Sequence, residues 1–248
     1  MAVWDLPRLR SLRLREPGFR SSSLEGINPE APFYPADADC YAMFGYIPVR
    51  GIQNDDERYV NRLVLDFKEA EAPAISAIAT LVQESFESEP FWLDRTSFRG
   101  YAVAAPSSKE GVGSQGVNQL LRKVTQKFDV TRTEKLTLCP FLLDRSTALE
   151  TPSHQQKKTA ADHLASMQVL QSVKDPNLAE TLWSIDPDGP RVILFDDVYT
   201  RGETFAACRE LLQDSLSEGT DDVDATPHVS GFFIAKTWAR DLPSDLPF

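Results

Sequence analysis

The stretch that decides the fold is Arg191-Val-Ile-Leu-Phe-Asp-Asp-Val-Tyr-Thr-Arg-Gly-Glu-Thr204. The apolar run Val192 to Phe195 is long enough for a buried strand of a parallel sheet. Two adjacent carboxylates, Asp196 and Asp197, follow it. A short loop, Val198 to Glu203, comes next and carries hydroxyls and a glycine. From Thr204 on, Phe205, Cys208, Leu211, Leu212 and Leu216 recur at helical spacing, which predicts a helix. Strand, acidic pair, tight loop and helix start together suit a ligand that is both sugar and phosphate. Backbone N–H groups at a helix N-terminus attract phosphate. Paired carboxylates can accept hydrogen bonds from a vicinal diol, or hold Mg2+. The plainer alternative is an ordinary strand-to-helix turn with solvated acids.

Outward from this stretch, strands and helices alternate, which predicts an α/β doubly wound, mainly parallel sheet. Residues 1–36 mix arginines, serines and prolines and read as an irregular N-terminal extension, or an arm lying on the domain of residues 37–248. Residues 40–50 read as a strand broken near Gly45 and Pro48. Asp55 to Lys68 reads as a helix with Val60, Leu63, Val64 and Phe67 on one face. Pro73 is expected to divide it from a second helix, Ala74 to Phe86. Phe98 to Pro106 reads as a strand and Val117 to Phe128 as a helix. Leu136 to Leu143 reads as one strand leading into a polar stretch, Asp144 to Lys158. Thr159 to Gln171 reads as a helix, and Val229 to Trp238 as the last strand.

Composition narrows the class. The chain has 248 residues, 42% hydrophobic and 25% charged, enough for one sizeable core. No run reaches the roughly 18 apolar residues of a membrane span. Met1 to Asp5 has neither the basic start nor the apolar core of a signal peptide, so a reducing, cytoplasmic compartment is expected. Cys40, Cys139 and Cys208 lie far apart, as do His154, His163 and His228, and neither set has a zinc spacing. No serine–histidine–acid set at a recognisable spacing supports hydrolase chemistry. A net charge of −11 disfavours broad nucleic-acid binding. Locally, Arg8, Arg10, Arg13, Arg15 and Arg20 face only Glu16. That arm could meet an anionic partner, or dock on its own domain as a tail.

The opening stretch resembles the signature of the type I phosphoribosyltransferases, an apolar strand, two acids and then Thr-x-Gly-x-Thr. Two further stretches are similar to the ComF-like branch of that family. Ala104-Ala-Pro-Ser-Ser-Lys109 stands where those enzymes have a pyrophosphate loop, although alone it would read as a turn. Gln115-Gly-Val-Asn-Gln119 resembles the Arg-Gly-Phe-Asn-Gln of the branch, and Asp66-Phe67-Lys68 its helix-ending Phe-Lys pair. The resemblance covers residues 57–238. It departs at Gln115 and at His163, where the branch has arginines, at Thr151-Pro-Ser-His-Gln155, whose glutamine falls one place late, and in lacking the N-terminal zinc module.

The resemblance implies that Asp196 and Asp197 hold the ribose hydroxyls of phosphoribosyl pyrophosphate, or Mg2+ directly or through substrate. Thr200, Arg201, Gly202, Glu203 and Thr204 would wrap the 5′-phosphate. Glu203 is awkward beside a phosphate, so only its N–H should face the ligand. Ser107, Ser108 and Lys109 would hold the pyrophosphate, and Gln155, Lys157 and Lys158 could belong to a lid or to a plain solvated loop. The implied activity is phosphoribosyl transfer to a nucleobase-like nitrogen acceptor. The alternatives are a non-catalytic sensor of the same sugar diphosphate, and a phosphoribosyltransferase-fold component of a DNA-processing or defence assembly. Implied partners are the small-molecule substrate and a homodimer or protein partner through the N-terminal arm, with neither membrane nor direct nucleic-acid binding expected.

Overall fold

Residues buried on both faces must come from strands covered on both sides, and Arg191–Tyr199 is such a strand. Ile193 and Phe195 belong to one buried cluster, while Val192 and Leu194 belong to another. Successive residues of a strand point to opposite faces, so this run lies between two layers. In a computed structural model of the protein, the described residues are 4–14, 18–19, 39–47, 51–88, 99–107, 115–131, 135–138, 143–145, 159–169, 191–217 and 227–237.

The elements in chain order are α1 (Leu6–Ser11), β1 (Gly18–Phe19), β2 (Cys40–Tyr46), α2 (Asp55–Lys68), α3 (Ala72–Ser88) and β3 (Arg99–Ala104). Then follow α4 (Gln115–Thr131), β4 (Lys135–Leu138), β5 (Leu143–Arg145), α5 (Ala160–Ser166), β6 (Met167–Val169), β7 (Arg191–Tyr199), α6 (Glu203–Ser217) and β8 (His228–Thr237). The main sheet runs β1-β2-β8-β7-β3-β4, parallel throughout except for β1, which pairs antiparallel with β2. A separate two-stranded sheet joins β5 and β6.

Helices cover both faces. Trp4 and Leu9 near the N-terminus, Val64 and Phe67 of α2, Ile75 and Ile78 of α3 and Leu121 of α4 pack on the side of Phe195. Phe205, Cys208, Leu212 and Leu216 of α6, with Leu143 and Met167, pack on the side of Leu194. Each fully buried Leu or Phe contributes about 2 kcal/mol of transfer free energy. The result is an α/β fold with a mainly parallel, helix-flanked sheet, compatible with double winding.

The chain leaves β3 outward to β4, returns to β7 on the other side of β3, and continues away to β8. The direction therefore reverses between β3 and β7. In open parallel sheets, the crevice outside the carboxyl ends of such a strand pair is where ligands bind.

Several expectations are corrected. β2 runs without a break through Gly45. Pro73 does not precede the second helix but sits in the first turn of α3, where its missing N–H costs nothing. The apolar run 136–143 is two strands in two sheets, β4 and β5, with Pro140 between them. The helix expected to reach Gln171 stops at Ser166, and Met167–Val169 pairs with β5 instead. β7 extends through both acids to Tyr199, so the loop shrinks to Thr200–Gly202.

The N-terminal segment is not irregular where it is described. Asp5 caps α1 by accepting from the Arg8 N–H, and Leu9 is fully buried. Arg8 pairs with Asp56 at 2.7 Å and Arg10 with Glu84 at 2.5 Å. Arg13 donates to Tyr41 Oη and to Ser85 Oγ, each at 2.7 Å. These arginines are engaged within the chain, as a docked tail requires; Arg15 and Arg20 lie outside the described residues. Among the described residues, no helix is long and apolar enough to cross a membrane.

Candidate functional site

Two strand ends make the site. Pairing between β3 and β7 stops at Ala104 and Phe195, and Ala105 then donates its N–H to the Phe195 carbonyl at 2.8 Å. Beyond that bond β3 passes into Pro106 and Ser107, while β7 continues beside β8 for Asp196 to Tyr199. The acidic pair therefore lies inside a strand whose β3 side is no longer paired in register. Consecutive residues of an extended strand project to opposite faces. Asp197 faces α2, where Lys68 Nζ lies 3.5 Å from its Oδ1. Asp196 feels the charge of Arg145, which is on the α6 side.

Asp196 accepts the N–H of Asp197 at 2.8 Å. Burial first, and then the negative charge of Asp197, push the Asp196 carboxyl up to about 8; the Asp197 N–H, Lys68 and Arg145 act against that rise. The free site thus disfavours two full negative charges side by side. A ligand that donates hydroxyl hydrogens, or a cation, relieves this conflict.

The loop after β7 is held by aromatic rings on both flanks. Tyr199 and Phe205 each meet the ring of Phe233 edge-on, with centroids 4.9 and 5.8 Å apart. Gly231 makes room for this: a Cβ there would lie 2.6 Å from the Phe233 ring and 2.8 Å from the Phe205 ring. Gly202 turns the chain into α6 with φ +81°. Thr200 and Arg201 are exposed, and Gly202, Glu203 and Thr204 half-buried. The first N–H groups of any helix lack intrahelical partners, so the start of α6 is a cluster of donors. Glu203 turns its carboxylate away from that cluster, accepting the Ala160 N–H at 2.8 Å.

On the opposite face, α2 ends where α4 begins. A Cβ on Gly116 would lie 2.2 Å from the Phe67 carbonyl oxygen, so only glycine permits the approach. Gln115 is exposed at the start of α4. This brings the Phe67–Lys68 helix end and the Gln115–Gln119 stretch to one corner of the molecule.

Arg145 escaped the sequence reading. A lone arginine in a polar stretch reads as solvated, yet this one is 2% exposed. Its Nε donates to the Ser107 carbonyl at 2.7 Å, Nη1 donates to Ser166 Oγ, and Nη2 lies 3.5 Å from His163 Nδ1. Burial lowers its pKa, while Cys208 and Asp196 oppose that shift. His163 Nδ1 is also 3.5 Å from Thr204 Oγ1. Among the expected site residues, Ser107 bonds this guanidinium directly, Thr204 lies next to it through His163, and Asp196 feels its charge. Ser108, Lys109, Gln155, Lys157 and Lys158 lie outside the described residues.

Among the described residues, no three His, Cys, Asp or Glu side chains converge to hold a metal ion. Asp196 and Asp197 straddle β7 and form no chelate by themselves. Such a donor set fits Mg2+ only as an ion that takes its remaining ligands from substrate phosphate and water. No protein-family model matches this chain, and no curated protein matches it.

Proposed function

We propose that the carboxyl ends of β3 and β7 bind phosphoribosyl pyrophosphate with Mg2+, and that the protein is a ComF-like phosphoribosyltransferase of the type I kind. The observation that carries this reading is the juxtaposition of the two loops at the sheet's point of reversal. Ser107 follows β3, the acids lie in the last part of β7 with Thr200–Thr204 directly after it, and the Ala105 N–H bonds the Phe195 carbonyl between the two strand ends. A sugar with a phosphate at one end and a diphosphate at the other needs two anion sites flanking a diol site.

In this reading, Asp196 and Asp197 hold the ribose hydroxyls and fix the ring. Thr200, Gly202 and Thr204, with the first N–H groups of α6, receive the 5′-phosphate, and Arg201 adds charge from the rim. Ser107, Ser108 and Lys109 grip the diphosphate. The C1–O bond breaks with its electron pair going to pyrophosphate. A nucleobase-like nitrogen forms the new bond to C1 and gives up its proton to solvent. Positive charge grows on the ribose in between, so fixed carboxylates stabilise the transition state. Mg2+ would neutralise the departing diphosphate.

The exposed, uncharged Gln115 at the start of α4, where the ComF-like branch has arginine, favours a second reading, a sensor that binds the sugar diphosphate without turnover. Pyrophosphate release from phosphoribosyl pyrophosphate across a panel of nucleobases separates the two. Release with any base supports the transferase, and tight binding with no release supports the sensor.

A further inference from the structure

Arg145 is buried beside the site, and the proposed reaction does not use it. A buried guanidinium is costly unless each of its donors is satisfied. Here its three nitrogens point to three different places. Nε holds the Ser107 carbonyl at 2.7 Å, in the loop after β3. Nη1 reaches Ser166, whose hydroxyl in turn donates to the His163 carbonyl at 2.8 Å. Nη2 meets His163 Nδ1 at 3.5 Å, and since a guanidinium is only a donor, Nδ1 acts as acceptor. That same Nδ1 faces Thr204 Oγ1 at 3.5 Å. The short helix α5 carries Ser166 and His163, and its start is fastened to Glu203 at 2.8 Å.

We infer that Arg145 is a positioning residue that couples the loop after β3 to the loop after β7, through His163 and α5, so that filling one anion site tightens the other. This rests on the two-loop reading of the site. Arginine suits the task because its planar fork fixes three directions at once, whereas lysine offers one point charge. A ligand anion that draws in the Ser107 loop pulls on Nε. The rigid fork transmits that pull to His163 and to the rotamer of Thr204. Coupling of this kind is reciprocal by thermodynamic necessity.

The test uses two one-ended probes on the full-length protein, ribose 5-phosphate and inorganic pyrophosphate, titrated by calorimetry in Mg2+ alone and in the presence of each other. In the wild type, each probe should tighten the other about tenfold. His163→Ala keeps the guanidinium and cuts its link to Thr204. It should leave each separate affinity within about threefold and abolish the mutual tightening. Arg145→Lys should do the same, with lower stability; His163→Ala carries the test if that variant fails to fold. Independent binding in the wild type overturns the coupling and leaves the two-site reading standing. Tightening that persists in His163→Ala also overturns it. Failure of both probes to bind the wild type overturns the coupling together with the reading beneath it.

Discussion

The Cα of Gly202 approaches Tyr199 so closely that a methyl group there would sit 2.3 Å from Oη and 2.8 Å from Cζ. The residue also has φ +81°, a region that disfavours L side chains. Gly202→Ala therefore meets both strain and collision. The left-handed backbone alone costs about 1–2 kcal/mol. We expect a lower denaturant midpoint and loss of phosphate binding. Tyr199→Phe in the same chain should restore only part of the stability, because Cζ still collides. Full recovery would show that the loop tolerates a side chain.

Gly116→Ala pits two effects against each other. Alanine favours a helix interior by about 1 kcal/mol over glycine, and Gly116, in the first turn of α4, gains at most that. Its Cβ would lie 2.2 Å from the Phe67 carbonyl oxygen, and backbone cannot swing aside as a flexible side chain can. Overpacking of this sort costs about 1–3 kcal/mol, so the steric term wins. Urea denaturation should show net destabilisation, with α2 and α4 forced apart.

Asp196 gives a pH dependence with a defined sign. Its folded value, raised to about 8 by burial and by Asp197, exceeds the unfolded carboxylate value of about 3.9. The native state then binds the proton more tightly than the unfolded chain does. The contribution to stability is fully present below the unfolded value and fades as pH rises toward 8. Asp196→Asn should therefore differ little from the wild type near pH 4 and gain on it steadily up to pH 8. Denaturation at three pH values reads this difference, and a gap independent of pH contradicts it. Ligands that need the carboxylate should bind with proton release and tighten across the same window.

Leu9 tests how the N-terminal segment is held. It is fully buried against the helical layer, so Leu9→Ala should cost about 2–4 kcal/mol. Arg8→Ala and Arg10→Ala remove solvent-screened pairs and should shift the midpoint little. The opposite ranking would mean that charge, and not apolar docking, fastens this segment.

The parts of the fold that were legible in sequence carry two agreeing signals. α2 matches its expected bounds because the apolar spacing runs unbroken to Phe67, and the structure adds a cap at its start, where Asn54 accepts the Glu57 N–H at 2.9 Å. β7 was legible because an unbroken apolar run can only be buried on both faces. Where signals conflicted, the reading slipped. Met167 and Val169 fit either helical spacing or strand alternation, and pairing with Leu143 and Arg145 decides for the strand. The strand reads as ending before the acids, with a loop from Val198, because carboxylates are poor strand formers, yet pairing with β8 carries the strand past them to Tyr199. At the site, Asp196, Ser107 and Thr204 were marked by motif. Arg145 was not, because its burial comes from partners at positions 107, 163 and 166 that no local pattern connects.

We propose that the ends of β3 and β7 form one site for a sugar bearing phosphates at both ends. Thermal unfolding with phosphoribosyl pyrophosphate, with and without Mg2+, tests it most directly, on the wild type and on the Asp196→Asn/Asp197→Asn variant. The wild type should show a ligand-dependent rise in melting temperature, larger with Mg2+, and the variant none. A wild type that phosphoribosyl pyrophosphate leaves unchanged, or a variant stabilised equally, would contradict it.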